Sequence, residues 1–198
     1  MDKESQMKQV EEDILNLRES PLYAYRIENN YIPVPGEGSL SARLFFIGEA
    51  PGKTEGETGR PFCGRSGKFL DEMLASIGLE RKNVYITSVI KDRPEDNRDP
   101  TPKEISLYGP YLDRQLEIIK PKVIVLLGRI SMKYMFKRAG IEDKLETIGT
   151  MHGKAYEGRL PYGKVILLPL YHPASALYNP KNRQVLLEDF KIVKKYIK

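Results

Sequence analysis

Four short apolar runs, each separated from the next by helical periodicity, constrain this chain more than any other feature. Leu44 to Ile47, Asn83 to Ile90 (NVYITSVI), Lys122 to Leu127 (KVIVLL) and Lys164 to Leu168 (KVILL) have the length and β-rich composition of strands. Between and after them, helices are predicted over Ser66 to Ile77, stopped by Gly78, and over Pro102 to Ile119, with Pro in its first turn and Glu close behind. Two more are expected over Ser131 to Ala139 and Asn182 to Ile197. Ahead of them, residues 4–18 place Met7, Val10, Ile14 and Leu17 at helical spacing, and Pro21 ends that helix. Residues 23–42 read as irregular, because Pro33, Pro35, Gly36 and Gly38 interrupt them, and 145–163 as a short hairpin or irregular segment around Gly153 and Gly158. Strands apolar on both faces, alternating with helices, predict an α/β fold with a parallel sheet covered by helices.

Right-handed crossovers put every parallel strand's carboxyl end on one edge, which is where an open α/β sheet binds ligands. Three loops rich in Gly, Pro and polar residues meet there: GEAPG…GRPF, KDRPEDNR and YHPASALYN. In the first, Gly48, Gly52, Gly56, Gly59, Gly64 and Gly67 surround two acids, Glu49 and Glu55, two arginines, Arg60 and Arg65, and Phe62. So many glycines let backbone N–H groups approach a planar or anionic group. The last loop brings His172, one of two histidines, directly after a strand. His152 has no such context and reads as structural.

The 198 residues suit a single domain spanning 1–198, with an N-terminal helix within 1–20 packed on it. One cysteine, Cys63, excludes an intramolecular disulfide and any multi-cysteine metal site. Without a base nearby in the motif, it reads as a small packed residue. Cysteine poverty, with neither a signal peptide nor an apolar run of membrane length, points to the cell interior. The net charge of +5 permits an anionic partner. GEAPGK is neither a Walker loop nor a GxGxxG turn, and no GxSxG or HExxH occurs.

The segments GEAPGKTEGETGRPFCGRSGKFLD, YITSVIKDRPEDNRDPTPKE, PKVIVLLG and HPASAL, in that order, resemble family 4 of the uracil-DNA glycosylase superfamily. The resemblance runs from about Pro21 to the C-terminal helix. It implies a three-layer α/β/α sandwich with a central four-stranded parallel sheet. The implied reaction is hydrolysis of the N-glycosidic bond of a deaminated base, usually uracil, as the first step of base excision repair. Two departures stand out. The family's four cysteines, which ligate a [4Fe–4S] cluster, are replaced by Leu17, Ser20, Asp92 and Tyr108. Thiolates are the usual ligands of such clusters, so no cofactor is expected, with packing or polar contacts tying the N-terminal helix down instead. The family's base-reading Asn at the end of strand two is Ser88, whose hydroxyl lacks the paired geometry of an amide.

The resemblance assigns catalytic positions to Glu49, His172 and Glu55. Glu49 is the favoured water-positioning acid, and His172 the donor to the departing base. Gly48, Ala50, Pro51, Gly52, Phe62 and Ser88 are expected around the base, with Phe62 stacking on it. Arg60, Arg65, Lys91, Arg93 and Arg98 are candidate phosphate contacts. Ser175, Leu177 and Tyr178 are expected at the DNA, Leu177 as a wedge and Tyr178 where the family has arginine. The expected partner is DNA, single- or double-stranded, with the damaged base flipped into the pocket. The protein is expected to be a monomer with no membrane association, cytoplasmic and nucleoid-associated. Two alternatives remain: a glycosylase preferring hypoxanthine or xanthine, and a non-catalytic relative that binds damaged DNA.

Overall fold

The four apolar runs form the centre of one sheet. In the computed structural model, which describes residues 1–197, the chain begins with α1 (Lys3–Leu15), α2 (Tyr23–Glu28), β1 (Glu37–Gly38) and β2 (Leu44–Gly48). It continues through α3 (Lys53–Thr58), α4 (Arg65–Ser76), β3 (Tyr85–Ser88), α5 (Pro102–Ile119), β4 (Val123–Leu127) and α6 (Arg129–Arg138). It ends with α7 (Ile148–Met151), β5 (Tyr156–Leu160), β6 (Gly163–Leu170), α8 (Ser175–Tyr178) and α9 (Pro180–Lys194). The sheet order is β1-β3-β2-β4-β6-β5. The inner strands β3, β2, β4 and β6 are parallel, and β1 and β5 pair antiparallel at the edges. The parallel core is as expected; the sheet around it is wider by two short strands.

Every residue of β2 and β4 is buried because both faces are covered. Phe45, Ile47, Ile124 and Leu126 join a core with residues of α1, α5 and α6, among them Val10, Leu112 and Phe136. Leu44, Phe46, Val123, Val125 and Leu127 face the other way, into a core with Leu70 and Met73 of α4 and Phe190 of α9. The period-two alternation thus divides each run between two layers of helices. α5 begins with a reciprocal cap: Thr101 Oγ1 accepts from the Glu104 N–H at 3.2 Å, and Glu104 Oε2 accepts from the Thr101 N–H at 2.8 Å.

Two local expectations are corrected. α1 stops at Leu15, ahead of Pro21, where Arg26 Nη2 donates to the Leu15 carbonyl at 2.8 Å and so satisfies its exposed end. Residues 23–42 are not wholly irregular, since α2 and β1 lie within them, with Pro33 and Pro35 in the connection between the two. The expected hairpin is β5–β6, turning at Pro161 and Tyr162. From β2 the chain moves outward to β3 and then crosses back to β4 on the other side, so the order reverses around β2. A crevice belongs at the carboxyl edge there.

Candidate active site

A cleft of about 300 Å³ opens at that edge, and all three loops singled out in the sequence line it. The loop after β2 supplies Glu49, Ala50, Pro51, Gly52, Glu55 and Phe62; the one after β3 supplies Pro94, Asn97 and Arg98, beside Ser88. His172, Ala174 and Tyr178 come from the segment after β6.

Phe62 is held as one wall by an unusual backbone. Its φ is +47°, a region that side chains other than glycine rarely adopt. Arg81, in the connection before β3, donates to the Phe62 carbonyl at 3.0 Å and to the Pro61 carbonyl, while pairing with Glu37 and Asp71. Two glycines make room for this arrangement. A Cβ on Gly48 would lie 2.6 Å from the Phe62 ring, and one on Gly67 would lie 1.7 Å from the Phe62 carbonyl oxygen. Gly48 therefore seats the ring instead of lining the cleft. The Phe62 and His172 rings are 5.6 Å apart, tilted by 31°. No sequence pattern pointed to Arg81; its role depends on contacts that only folding brings together.

The two acids of the first loop have different environments. Glu55, on α3, accepts hydrogen bonds at Oε1 from the N–H groups of Cys63 (2.9 Å) and Gly64 (2.8 Å), at the start of α4. It binds the loop to itself. Glu49 has no such anchors. Burial and then the neighbouring charge of Asp99 push its pKa up to about 6, while Arg129, ion-paired with Asp99, pulls the other way. Asp99 and Arg129 are further members of the site that sequence reasoning missed, although Asp99 follows directly on the KDRPEDNR stretch. A carboxylate poised near neutrality inside a cleft is a mark of a functional position.

His172 is held by the backbone. The Ala174 N–H lies 3.2 Å from Nδ1 and can only donate, so Nδ1 accepts and the neutral ring carries its proton on Nε2. Burial drags the imidazole's pKa down to about 4, against a smaller upward pull from Glu55, so the ring is neutral at physiological pH. Gly128 at the end of β4, with φ +101°, leaves space for it: a Cβ there would stand 3.3 Å from His172 Cβ. His152 does not line the cleft: its Nδ1 lies 2.9 Å from Asp189 Oδ2, and its ring is tilted by 32° against Tyr171 at 4.5 Å.

The basic candidates separate sharply. Lys91 is fully buried and cannot reach a phosphate, which corrects its expected role. Arg98 borders the cleft but pairs in a fork with Glu104, at 2.6 and 2.9 Å. Arg60 pairs with Glu37, and Arg93 bonds Tyr25, Tyr31 and Asn97. Arg65 is exposed, with no ion pair among the described residues. Leu177 is half-buried, whereas Tyr178 is 88% exposed on the cleft's lip. Ser175 Oγ is enclosed without a hydrogen-bond partner among the described residues.

Comparison with known proteins identifies the family. The family model described as the uracil DNA glycosylase superfamily matches residues 35–194. The chain belongs to that superfamily. It is 44% identical over 189 residues to the type-4 uracil-DNA glycosylase of Sulfurisphaera tokodaii, covering 95% of this chain and 83% of that protein. It is also 49% identical over 162 residues to the type-4 enzyme of Saccharolobus solfataricus (81% and 74% covered). With that of Archaeoglobus fulgidus it shares 47% over 179 residues (90% and 87% covered).

Within this superfamily member, the positions expected to hold cluster cysteines come together, but their chemistry differs. Ser20 Oγ lies 2.6 Å from Tyr108 OH, and Tyr108 OH donates to Asp92 Oδ2 at 2.5 Å. Arg26 pairs with Asp92 at 3.3 Å and also caps α1 through the Ile14 and Leu15 carbonyls. Leu17 is buried in the adjoining core. A hydroxyl, a phenol, a carboxylate and a methyl-terminated chain do not fit an iron–sulfur cluster, and their polar atoms already satisfy one another. The only cysteine, Cys63, lies elsewhere, beside Thr58. No group of His, Cys, Asp and Glu suited to a metal ion occurs among the described residues.

Proposed function

We propose that this protein is a monofunctional uracil-DNA glycosylase that acts without a metal or cluster. The observation that carries the reading is the pairing of a neutral, Nε2-protonated His172 with the unanchored Glu49 across a cleft walled by Phe62. A base cannot reach such a cleft from within duplex DNA, so it is extruded, at a cost of roughly a few kcal/mol. Phe62 stacks on it, and the backbone of Glu49 to Gly52 borders it. The C1′–N bond breaks with its electron pair leaving on the base, and a water oxygen bonds to C1′. His172 Nε2–H donates to the base oxygen where charge develops. Ionised Glu49 orients the water and offsets positive charge on the sugar. The water loses one proton and the base gains one, so none is consumed. Glu55 serves by holding the loop.

DNA is gripped by Arg65 and the lip bearing Leu177 and Tyr178, with Arg60, Arg93 and Arg98 contributing where they can leave their present partners. The protein acts as a monomer in the cell interior. No helix among the described residues is long and apolar enough to cross a membrane. A second reading, preference for a deaminated purine, is favoured by one observation: Ser88, buried at the end of β3, offers a hydroxyl to the cleft where an amide was expected.

Oligonucleotides carrying uracil, hypoxanthine or xanthine, single-stranded or mismatched, followed by alkaline cleavage of abasic sites, test both readings. Uracil release that falls by about 10²–10³ in His172→Ala is the expected result. Release of purines alone selects the second reading, and tight binding without release refutes both.

A further inference from the structure

Lys91 is a fully buried cation that the site, as described, does not use. Its Nζ donates to Thr87 Oγ1 at 2.6 Å, the Ser88 carbonyl at 2.7 Å and Gln115 Oε1 at 2.8 Å. No carboxylate pairs with it among the described residues, and burial alone lowers its pKa well below the ordinary lysine range.

The neighbours nevertheless present three acceptors, the set that an ammonium satisfies. The Ser88 carbonyl can only accept. Thr87 gives its hydroxyl proton to the Pro35 carbonyl at 2.6 Å. Gln115 turns its NH₂ towards the same carbonyl at 2.9 Å and Tyr85 OH at 3.3 Å, leaving its oxygen for Lys91. Three acceptors match the three protons of an ammonium; a neutral amine would set a lone pair against one of them. The network ties β3 to α5 and to the segment before β1.

This charge lies directly behind the residue that faces the base. Ser88 carries Lys91 on its carbonyl and lines the cleft itself. Among the described residues, Arg98 at the cleft is already neutralised by Glu104, Arg129 near Glu49 is paired with Asp99, and His172 is neutral. Glu49 and Glu55 add negative charge to the same walls. A base leaving with the electron pair of its glycosidic bond needs a positive field, and a charge in a low-dielectric interior acts at longer range than one in water.

We propose that Lys91 is a positioning and electrostatic residue: its buried ammonium fixes the Ser88 end of β3 and stabilises the anionic base as it departs. The proposal rests on the glycosylase reading above. The electrostatic part makes leaving-group acidity the decisive variable. A base that is a good anion needs the field less than one that is a poor anion.

The test compares single-turnover release of uracil and of the more acidic 5-fluorouracil from otherwise identical oligonucleotides. Gln115→Glu sets a counter-charge on Lys91 in nearly the same volume, and Lys91→Met removes the cation. Both should slow uracil release by on the order of ten-fold or more and fluorouracil release several-fold less. Equal losses for the two bases would overturn the electrostatic role, as would no loss in either variant. Should the variants fail to fold, ¹⁵N NMR of Lys91 Nζ in the unaltered protein at pH 7 decides: an ammonium supports the proposal and an amine overturns it. If the unaltered protein releases neither base, the glycosylase reading fails instead, while the NMR still reports the charge.

Discussion

Two of the polar clusters in this molecule differ in what is left over. In the Ser20–Tyr108–Asp92–Arg26 chain, each polar group points at another member or at a backbone carbonyl. At the cleft, Glu49 and Ser88 face open space, and His172 has Nδ1 engaged but Nε2 unused. Both clusters bury ionisable groups. Only the second keeps hydrogen-bonding capacity in reserve, and capacity in reserve is what a ligand meets. Burial alone thus does not separate structural from functional polar residues; unspent donors and acceptors do.

The largest expected effect sharpens this contrast on the structural side. Arg26→Met leaves the Asp92 carboxylate buried without its cation and should cost about 3–5 kcal/mol of stability by urea unfolding. Uracil release per folded molecule should be unchanged at low temperature. A loss of turnover with stability intact would dissolve the distinction.

Within the cleft, Glu49→Gln should reduce release by about 10²-fold or more while leaving the unfolding midpoint nearly unmoved. Glu55→Gln should show the reverse emphasis, losing about 1–2 kcal/mol of stability as two charge-assisted bonds weaken, with a smaller loss of rate. Paired denaturation and single-turnover measurements distinguish the two acids.

Acidity gives a subtler handle. Glu49 is protonated below a pKa of about 6, so kcat/KM should rise with pH through that value if its ionised form acts. Asp99 contributes to the upward shift, so Asp99→Asn should move the rising limb to lower pH. Removing Arg129, which opposes the shift, should move it to higher pH. His172, neutral above about 4, should leave no limb between pH 5 and 8. The smallest effect concerns the exposed surface: Arg65→Ala should reduce the salt slope of DNA binding by about 1 without altering base preference.

Much of this was legible beforehand where a residue's role follows from its own segment. The four strands, the bounds of α5, the crevice edge and the convergence of Glu49, Phe62 and His172 all arise from periodicity, glycine spacing and chain direction. α2 and α3, six residues each, were not, because helices that short are held by packing rather than propensity. Lys91 was misread for a related reason. A lysine beside an Asp, an Arg and a Pro reads as surface, and only the approach of Thr87 and Gln115 encloses it. In the sequence Glu49 differs from Glu55 by little more than following the strand directly; the N–H groups of Cys63 and Gly64, which separate their roles, are placed by the fold.

The clamp of Arg81 on Pro61 and Phe62 has a thermodynamic consequence. The aromatic wall stands in place before any DNA arrives, its improbable backbone angle held by contacts on the side away from the ligand. Binding therefore does not have to freeze a wandering ring, and the ordering entropy that loops commonly surrender on association has already been settled during folding. Affinity among different bases should then track the bases themselves, their stacking area and hydrogen-bonding edges, with little contribution from rearrangement of the protein.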